Sequence, residues 1–430
     1  MLDVSQETGF DSPEGFFRWQ SMTLFGRTGV STNGRANGRL ALNLPFDPTA
    51  VAESLRRESY LDNRLPAEAN LELKALARKA YYALRPVLPV AVRKHAQRWA
   101  LRDWDKLAFP AWPVDVTVDG LMNAIFGRLL DVHGIRELPF IWFWPEGHSA
   151  CAIMTHDVET SVGRDFSSSL MRMEAERGIR SAFEIVPEER YEVPEEYLAE
   201  IRAAGCEVCV HGLNHDGRLF LNETIFQERA KKINAYARQW GATGFRSPVM
   251  YRRVDWFDAF EFSYDMSLPN VAHLDPQRGG CCTVMPYFIG GIVELPLTTT
   301  QDYQLYNILN RCDMELWKEQ SDILLARHGL LSFIIHPDYT TSQRAQVLYG
   351  QLLDYLGRLR DERNVWMALP GDVDRWWRQR GQLQLEQDGA SWRIVGAGQE
   401  KARLAFAYKA SGGRVEYRLA DPASSSSSTH

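Results

Sequence analysis

The chain has 430 residues, 45% hydrophobic and 24% charged, with 49 Lys+Arg against 55 Asp+Glu and a net charge of −6. That mix excludes a mainly disordered or fibrous chain, and the length suits two or three domains around a large core. A slight acidic excess argues against a dedicated nucleic-acid binder, which carries a basic surplus.

In chain order, residues 1–45 look irregular, and the Gly-, Asn- and Ser-rich stretch 26–38 reads as a loop. No Gly-Lys-Ser/Thr follows it, so it is not a phosphate loop. Residues 50–105 are helical in pattern, with Leu71, Leu73, Leu76, Ala77 and Ala80 on one face. Residues 1–147 therefore read as a partly helical N-terminal capping region. The longest apolar stretch, 138–145, is far short of the ~20 residues of a spanning helix. Neither a basic nor an apolar leader segment is visible at residues 1–7, and six cysteines suggest no disulfide framework, so the expected compartment is the cytoplasm.

From about 150 the pattern alternates. Residues 150–155 read as a buried strand, 169–177 as a helix stopped by Gly178, and 181–186 as a strand. Pro194 and Gly205 bracket a helix, 206–210 is a strand, and Asn222 caps a helix running to Trp240. Residues 314–326 are helical, 327–329 form their cap, and 330–335 are a strand. Repeated βα units imply an α/β fold with a parallel sheet or barrel over 148–378. The last part changes period. Residues 382–387, 391–395, 402–410 and 414–419 read as strands of a small antiparallel β appendage spanning 381–420, followed by a disordered tail at 421–430.

Four clusters carry chemistry. Thr155-His156-Asp157-Val158-Glu159 ends the first strand, and carboxylates at i and i+2 of an extended segment point the same way. Two neighbouring anions need a cation beside them. A metal next to one would leave the other free to act as a base, although a solvated acidic loop fits the pair equally well. His211-x3-His215 follows the 206–210 strand, and on a helical turn that spacing would bring two imidazoles to one face. Two solvent-facing loop histidines would fit it too. Arg246-Ser247-Pro248 follows the capped helix, and His336-Pro337 ends the 330–335 strand, where α/β folds keep their active sites. Alternation turns His156 toward the core. Cys206 and Cys209 face opposite sides of their strand, and Trp99, Trp104, Trp112, Trp142 and Trp144 read mainly as packing. His273 lies in the loop after Asp265, within range of the site.

Together these segments, with Ser263-Tyr264-Asp265-Met266-Ser267, resemble the polysaccharide deacetylase family, the NodB-homology or carbohydrate esterase 4-like hydrolases, over residues 148–375. The resemblance implies an irregular (β/α) barrel of about seven strands. By it, Asp157 is the catalytic base, His211 and His215 bind a divalent metal, Arg246 orients the base, and His336 is the general acid. Asp265 is expected to tune His336, and the backbone N–H near Val249 to form part of an oxyanion hole. The family's commonest first motif has adjacent aspartates. Val158 stands at the second position here, and Glu159 takes the metal-ligand role as in a known variant. The implied metal is zinc first, with cobalt, nickel or manganese as alternatives. The implied activity is removal of an N-acetyl, less readily an O-acetyl, group from a sugar or glycan precursor. Alternatives are C–N hydrolysis of a small non-sugar amide or imide, as in allantoinase-like relatives, and a silent carbohydrate-binding protein. No nucleic-acid partner and no transmembrane segment are expected, and the oligomeric state is left open.

Overall fold

The structure, a computed structural model, describes residues 46–64, 98–99, 101–388 and 391–420. The stretch 26–38, the apolar face Leu71–Ala80, residues 389–390 between two of the expected strands and the tail 421–430 lie outside the described residues.

Strand β2 (Ala150–Val158) organises the rest, and each of its residues is buried. It is apolar until Thr155, so only its C-terminal end presents polar groups. That is the pattern of a strand covered on both faces. One edge of β2 pairs with β9 (Leu330–Ile334), and the other with β3 (Ala182–Ile185) and, at its start, β10 (Val365–Ala368), all parallel. The sheet continues through β4 (Glu207–His211), β5 (Gly244–Arg246), β6 (Tyr264–Asp265) and β8 (Ile292–Glu294), again parallel, and ends on β7 (Tyr287–Ile289), antiparallel to β8. The sheet curls back on itself, as an irregular barrel should. Between the segment after β8 and β9, side chains make the connection. Thr298 Oγ1 donates to Leu330 O at 2.7 Å and accepts from Ser332 N–H at 3.0 Å, and Thr299 Oγ1 donates to Ser332 O at 2.6 Å.

Helices cover the outside. α1 (Pro48–Arg56) and α2 (Thr117–His133) precede the barrel. α3 (Ser161–Ala175) starts at Ser161, not 169, because the Thr160 hydroxyl accepts from the Gly163 N–H at 3.3 Å and caps it. The serine run within it has poor propensity, but buried Leu170 and Met171 on one face outweigh that. α4 (Glu195–Ala203) and α5 (Glu223–Trp240) agree with the sequence reading. Asn222 Oδ1 accepts from the Ile225 N–H at 2.9 Å, and Gly241 ends α5 at φ 62°. α6 (Glu315–Leu325), α7 (Gln343–Arg363) and α8 (Pro370–Arg380) complete the set.

The appendage holds a strand the sequence reading did not assign. β1 (Glu137–Ile141) pairs antiparallel with β13 (Leu404–Lys409), which pairs with β14 (Val415–Leu419), while β11 (Gln384–Asp388) and β12 (Ser391–Val395) form a separate hairpin. Leu138 faces Ala407 and Phe140 faces Ala405 across the ladder, all buried. The apolar run at 138–145 is thus a sheet edge and its exit. Trp142 and Trp144 are core residues, as their composition suggested. All six cysteines are free thiols, five of them buried. Among the described residues no helix is long and apolar enough to cross a membrane.

Candidate active site

Polar side chains gather where β2, β3, β4, β5 and β9 end. Arg246, the last residue of β5, is fully buried. Its Nη1 donates to Asp157 Oδ1 at 2.7 Å and to Thr155 Oγ1 at 2.9 Å, and its Nε to Met266 O at 3.1 Å. Burial alone would raise the Asp157 carboxyl, but the Arg246 charge, with His211 and His336, holds it below the usual range. Asp157 is therefore an anion with one oxygen committed to arginine. Its other oxygen, Oδ2, lies 3.7 Å from His211 Nε2 and 3.9 Å from His336 Nε2.

His211 ends β4, and His215 follows it in an irregular turn rather than on a helix. Gly212 at φ 62° and His215 at φ 53° bend that turn back on itself. A Cβ on Gly212 would sit 2.4 Å from Pro248 Cγ, so the turn can close only over glycine. The two imidazole centroids lie 5.1 Å apart. Glu159 completes the set, and one ligand atom from each of Glu159, His211 and His215 falls within 4.8 Å of the others. Glu159 Oε1 is 2.9 Å from His215 Nε2.

The donor chemistry suits a cation. His211 Nδ1 faces the Arg246 carbonyl at 3.1 Å, which places its proton there and leaves the Nε2 lone pair free. His211 Nε2 and His215 Nδ1 are buried without a hydrogen-bond partner, and His215 Nε2 faces only the Glu159 carboxylate. Burial disfavours the charged imidazole and lowers the His211 pKa to about 4, so it is neutral and able to ligate. Burial would raise Glu159, but the neighbouring histidines hold it well below the usual carboxylate range. Two histidines and a carboxylate with an open side form a set that zinc and several other divalent metals accept.

His336 faces both Asp157 and Glu159. Its Nε2 is 3.6 Å from Glu159 Oε1, and its Nδ1 is 2.7 Å from Asp302 Oδ1. The His336 N–H also donates to Asp302 Oδ2 at 2.9 Å, so one carboxylate holds both ring and backbone. Burial opposes the charge, but Asp302 outweighs it and raises the His336 pKa to about 10.

This corrects the expected partner. Asp265 does not reach His336. Its two oxygens accept from the Ser267 hydroxyl at 2.8 Å and the Ser267 N–H at 2.7 Å, and it sits beside buried Glu294. β6 lies beyond β5 from β2, whereas Asp302 follows the threonine segment that runs against β9. An acidic residue eight positions after the end of a buried strand was the available signal for Asp302.

One further group escaped the sequence reading. Glu184 is fully buried on β3, in register with Asp157, and its Oε2 lies 3.4 Å from Arg246 Nη1. Burial, with Asp157 beside it, raises its pKa to about 8 against the pull of Arg246. A lone glutamate in an apolar strand was its signal. His156 does turn inward. Its Nε2 meets Glu174 Oε1 at 2.6 Å and its Nδ1 meets Ile335 O at 2.9 Å, which ties β2 to the residue before His336. His273 is buried against Trp112 with its Nε2 3.3 Å from Leu107 O, and it takes no part in this cluster.

Val249 falls in the left-handed region at φ 62° and Met250 follows at 53°. For a β-branched residue that is a true outlier, of the kind that collects at functional sites.

No protein-family model matches the chain, and no curated protein matches it. Among solved structures, a provisionally assigned polysaccharide deacetylase from Mycobacterium smegmatis aligns over 55% of this chain and 93% of its own, at 18% identity and a TM-score of 0.45. The PuuE allantoinase aligns over 55% and 92%, at 14% identity and 0.40. The peptidoglycan deacetylase PdaC from Bacillus subtilis aligns over 55% and 94%, at 12% identity and 0.32.

Proposed function

We propose that the chain is a metal-dependent hydrolase of the polysaccharide deacetylase type, which removes an N-acetyl group from a sugar or glycan precursor. One observation carries the reading: a ligand set of Glu159, His211 and His215 adjoins both an arginine-held carboxylate, Asp157, and a carboxylate-held imidazole, His336. Amide hydrolysis needs those parts together, because water must lose a proton and the departing amine must gain one.

When bound, a divalent metal polarises the amide carbonyl and lowers the pKa of water. Asp157, kept ionised by Arg246, takes the proton from the attacking water through Oδ2. His336, kept protonated by Asp302, donates from Nε2 to the amine nitrogen as the C–N bond breaks. Arg246 also fixes the plane of the Asp157 carboxylate, so the base does not have to reorient in the reaction. The test is elemental analysis of the purified chain and of Glu159→Ala, followed by acetate release from N-acetylglucosamine oligomers. Near-stoichiometric metal in the wild type, lost in the variant along with acetate release, supports the reading. A chain that takes up neither zinc nor manganese would overturn it.

A further inference from the structure

The segment from Arg246 to Arg252 is held at both ends, and the second anchor comes from outside the barrel. At its start it belongs to the site described above. Arg246 grips Asp157, Pro248 fills the space over Gly212 between the two histidines, and the Met250 side chain clusters with Leu297 and with Ile334 at the end of β9. At its end, Arg252 is 2% exposed and its Nη1 donates to the Met250 carbonyl at 2.7 Å. The other side of that guanidinium is clamped by Glu58, which lies just after α1. Nε donates to Glu58 Oε2 at 2.7 Å, and Nη2 donates to Oε1. Glu58 is itself buried, sits at φ 58°, and accepts the Gly280 N–H at 2.6 Å. Glycine is required beside it, because a Cβ on Gly279 would lie 2.5 Å from Glu58 Oε1.

Two consecutive residues at positive φ persist only where their surroundings over-determine them. Here the surroundings on one side are a guanidinium on the Met250 carbonyl and a carboxylate on that guanidinium. We infer that Glu58 is a positioning residue of the active site, acting through Arg252 to hold Val249 and Met250 in their left-handed turn. The region before the barrel then supplies a working part of the site rather than a cover. This deepens the hydrolase reading and rests on it for the rate measurement alone.

Hydrogen exchange tests the strut without any substrate. In the wild-type chain, the amides of 250–252, which donate to Ser247 O, Pro248 O and Gln277 Oε1, should be protected to the same degree as those of β5, although they lie in a loop. Exchange as fast as an exposed loop would overturn the inference. Glu58→Met/Arg252→Met removes both charges together, which avoids leaving one buried and unpaired as Glu58→Gln alone does. The double variant should keep its melting cooperativity and its metal content, lose protection at 250–252, and leave 207–216 unchanged. Its kcat on N-acetylglucosamine oligomers should fall about tenfold or more with KM within about twofold, the signature of lost alignment rather than lost binding. Wild-type exchange and wild-type kcat in the double variant would refute the role. If the wild type releases no acetate but the exchange changes as described, the hydrolase reading fails and the strut stands.

Discussion

Asp302→Asn separates an electrostatic partner of His336 from a merely structural one. The substitution keeps the shape and an acceptor for the His336 N–H, now 2.9 Å away, but removes the charge 2.7 Å from Nδ1. Unit charges about 4 Å apart at an effective dielectric near 20 attract by about 4 kcal/mol. At ~1.4 kcal/mol per pKa unit, that is a fall of about three units. His336 would move from about 10 toward neutrality. An acid that must be protonated to act then loses its alkaline range first. Acetate release should drop about a hundredfold at pH 9 and less than about twofold at pH 6, with the alkaline limb displaced by about three units. Carbon-13 NMR of the His336 ring in the same variant should show the same displacement. A loss that is equal at pH 6 and pH 9, or an imidazole whose titration does not move, would refute the reasoning.

Three other outcomes follow from the same geometry. Arg246→Met leaves Asp157 and Glu184 buried without the guanidinium that bridges them, and should cost about 3–5 kcal/mol in urea denaturation. Glu184 titrates near 8 in the native chain, above its ordinary 4.5, so the native state binds the proton more tightly than the unfolded chain does. Stability should therefore fall as pH rises from about 4.5 through about 8, and Glu184→Gln should flatten that slope; an unchanged slope in the variant would count against the assignment. Gly212→Ala puts a methyl into Pro248 at a positive φ, so it should spread His211 from His215 and weaken zinc binding, read by competition with a chromophoric chelator; unchanged affinity would show that the turn does not set the ligand spacing.

Local pattern determined much of this protein. The βα alternation, the Asn222 cap and the apolar run of β2 ending in Thr155, Asp157 and Glu159 are all legible, because helix caps and strand burial act over a few residues. Strand ends in a parallel sheet share one rim, so residues 157, 159, 211, 246 and 336 could be grouped before their distances were known. Partners set by curvature could not. Asp302 rather than Asp265 reaches His336 because the sheet curls until the threonine segment after β8 meets β9. No spacing along the chain encodes that closure. The H-x3-H pair sits on a reversed turn because Pro248, from the next strand's exit, occupies the space over Gly212. β1 finds its partner in β13, more than 260 residues later, since an edge strand is satisfied by whatever ladder reaches it. The Glu58–Arg252 pair belongs to the same class: burying two charges is tolerable only where distant segments bring them together, and that is decided in three dimensions.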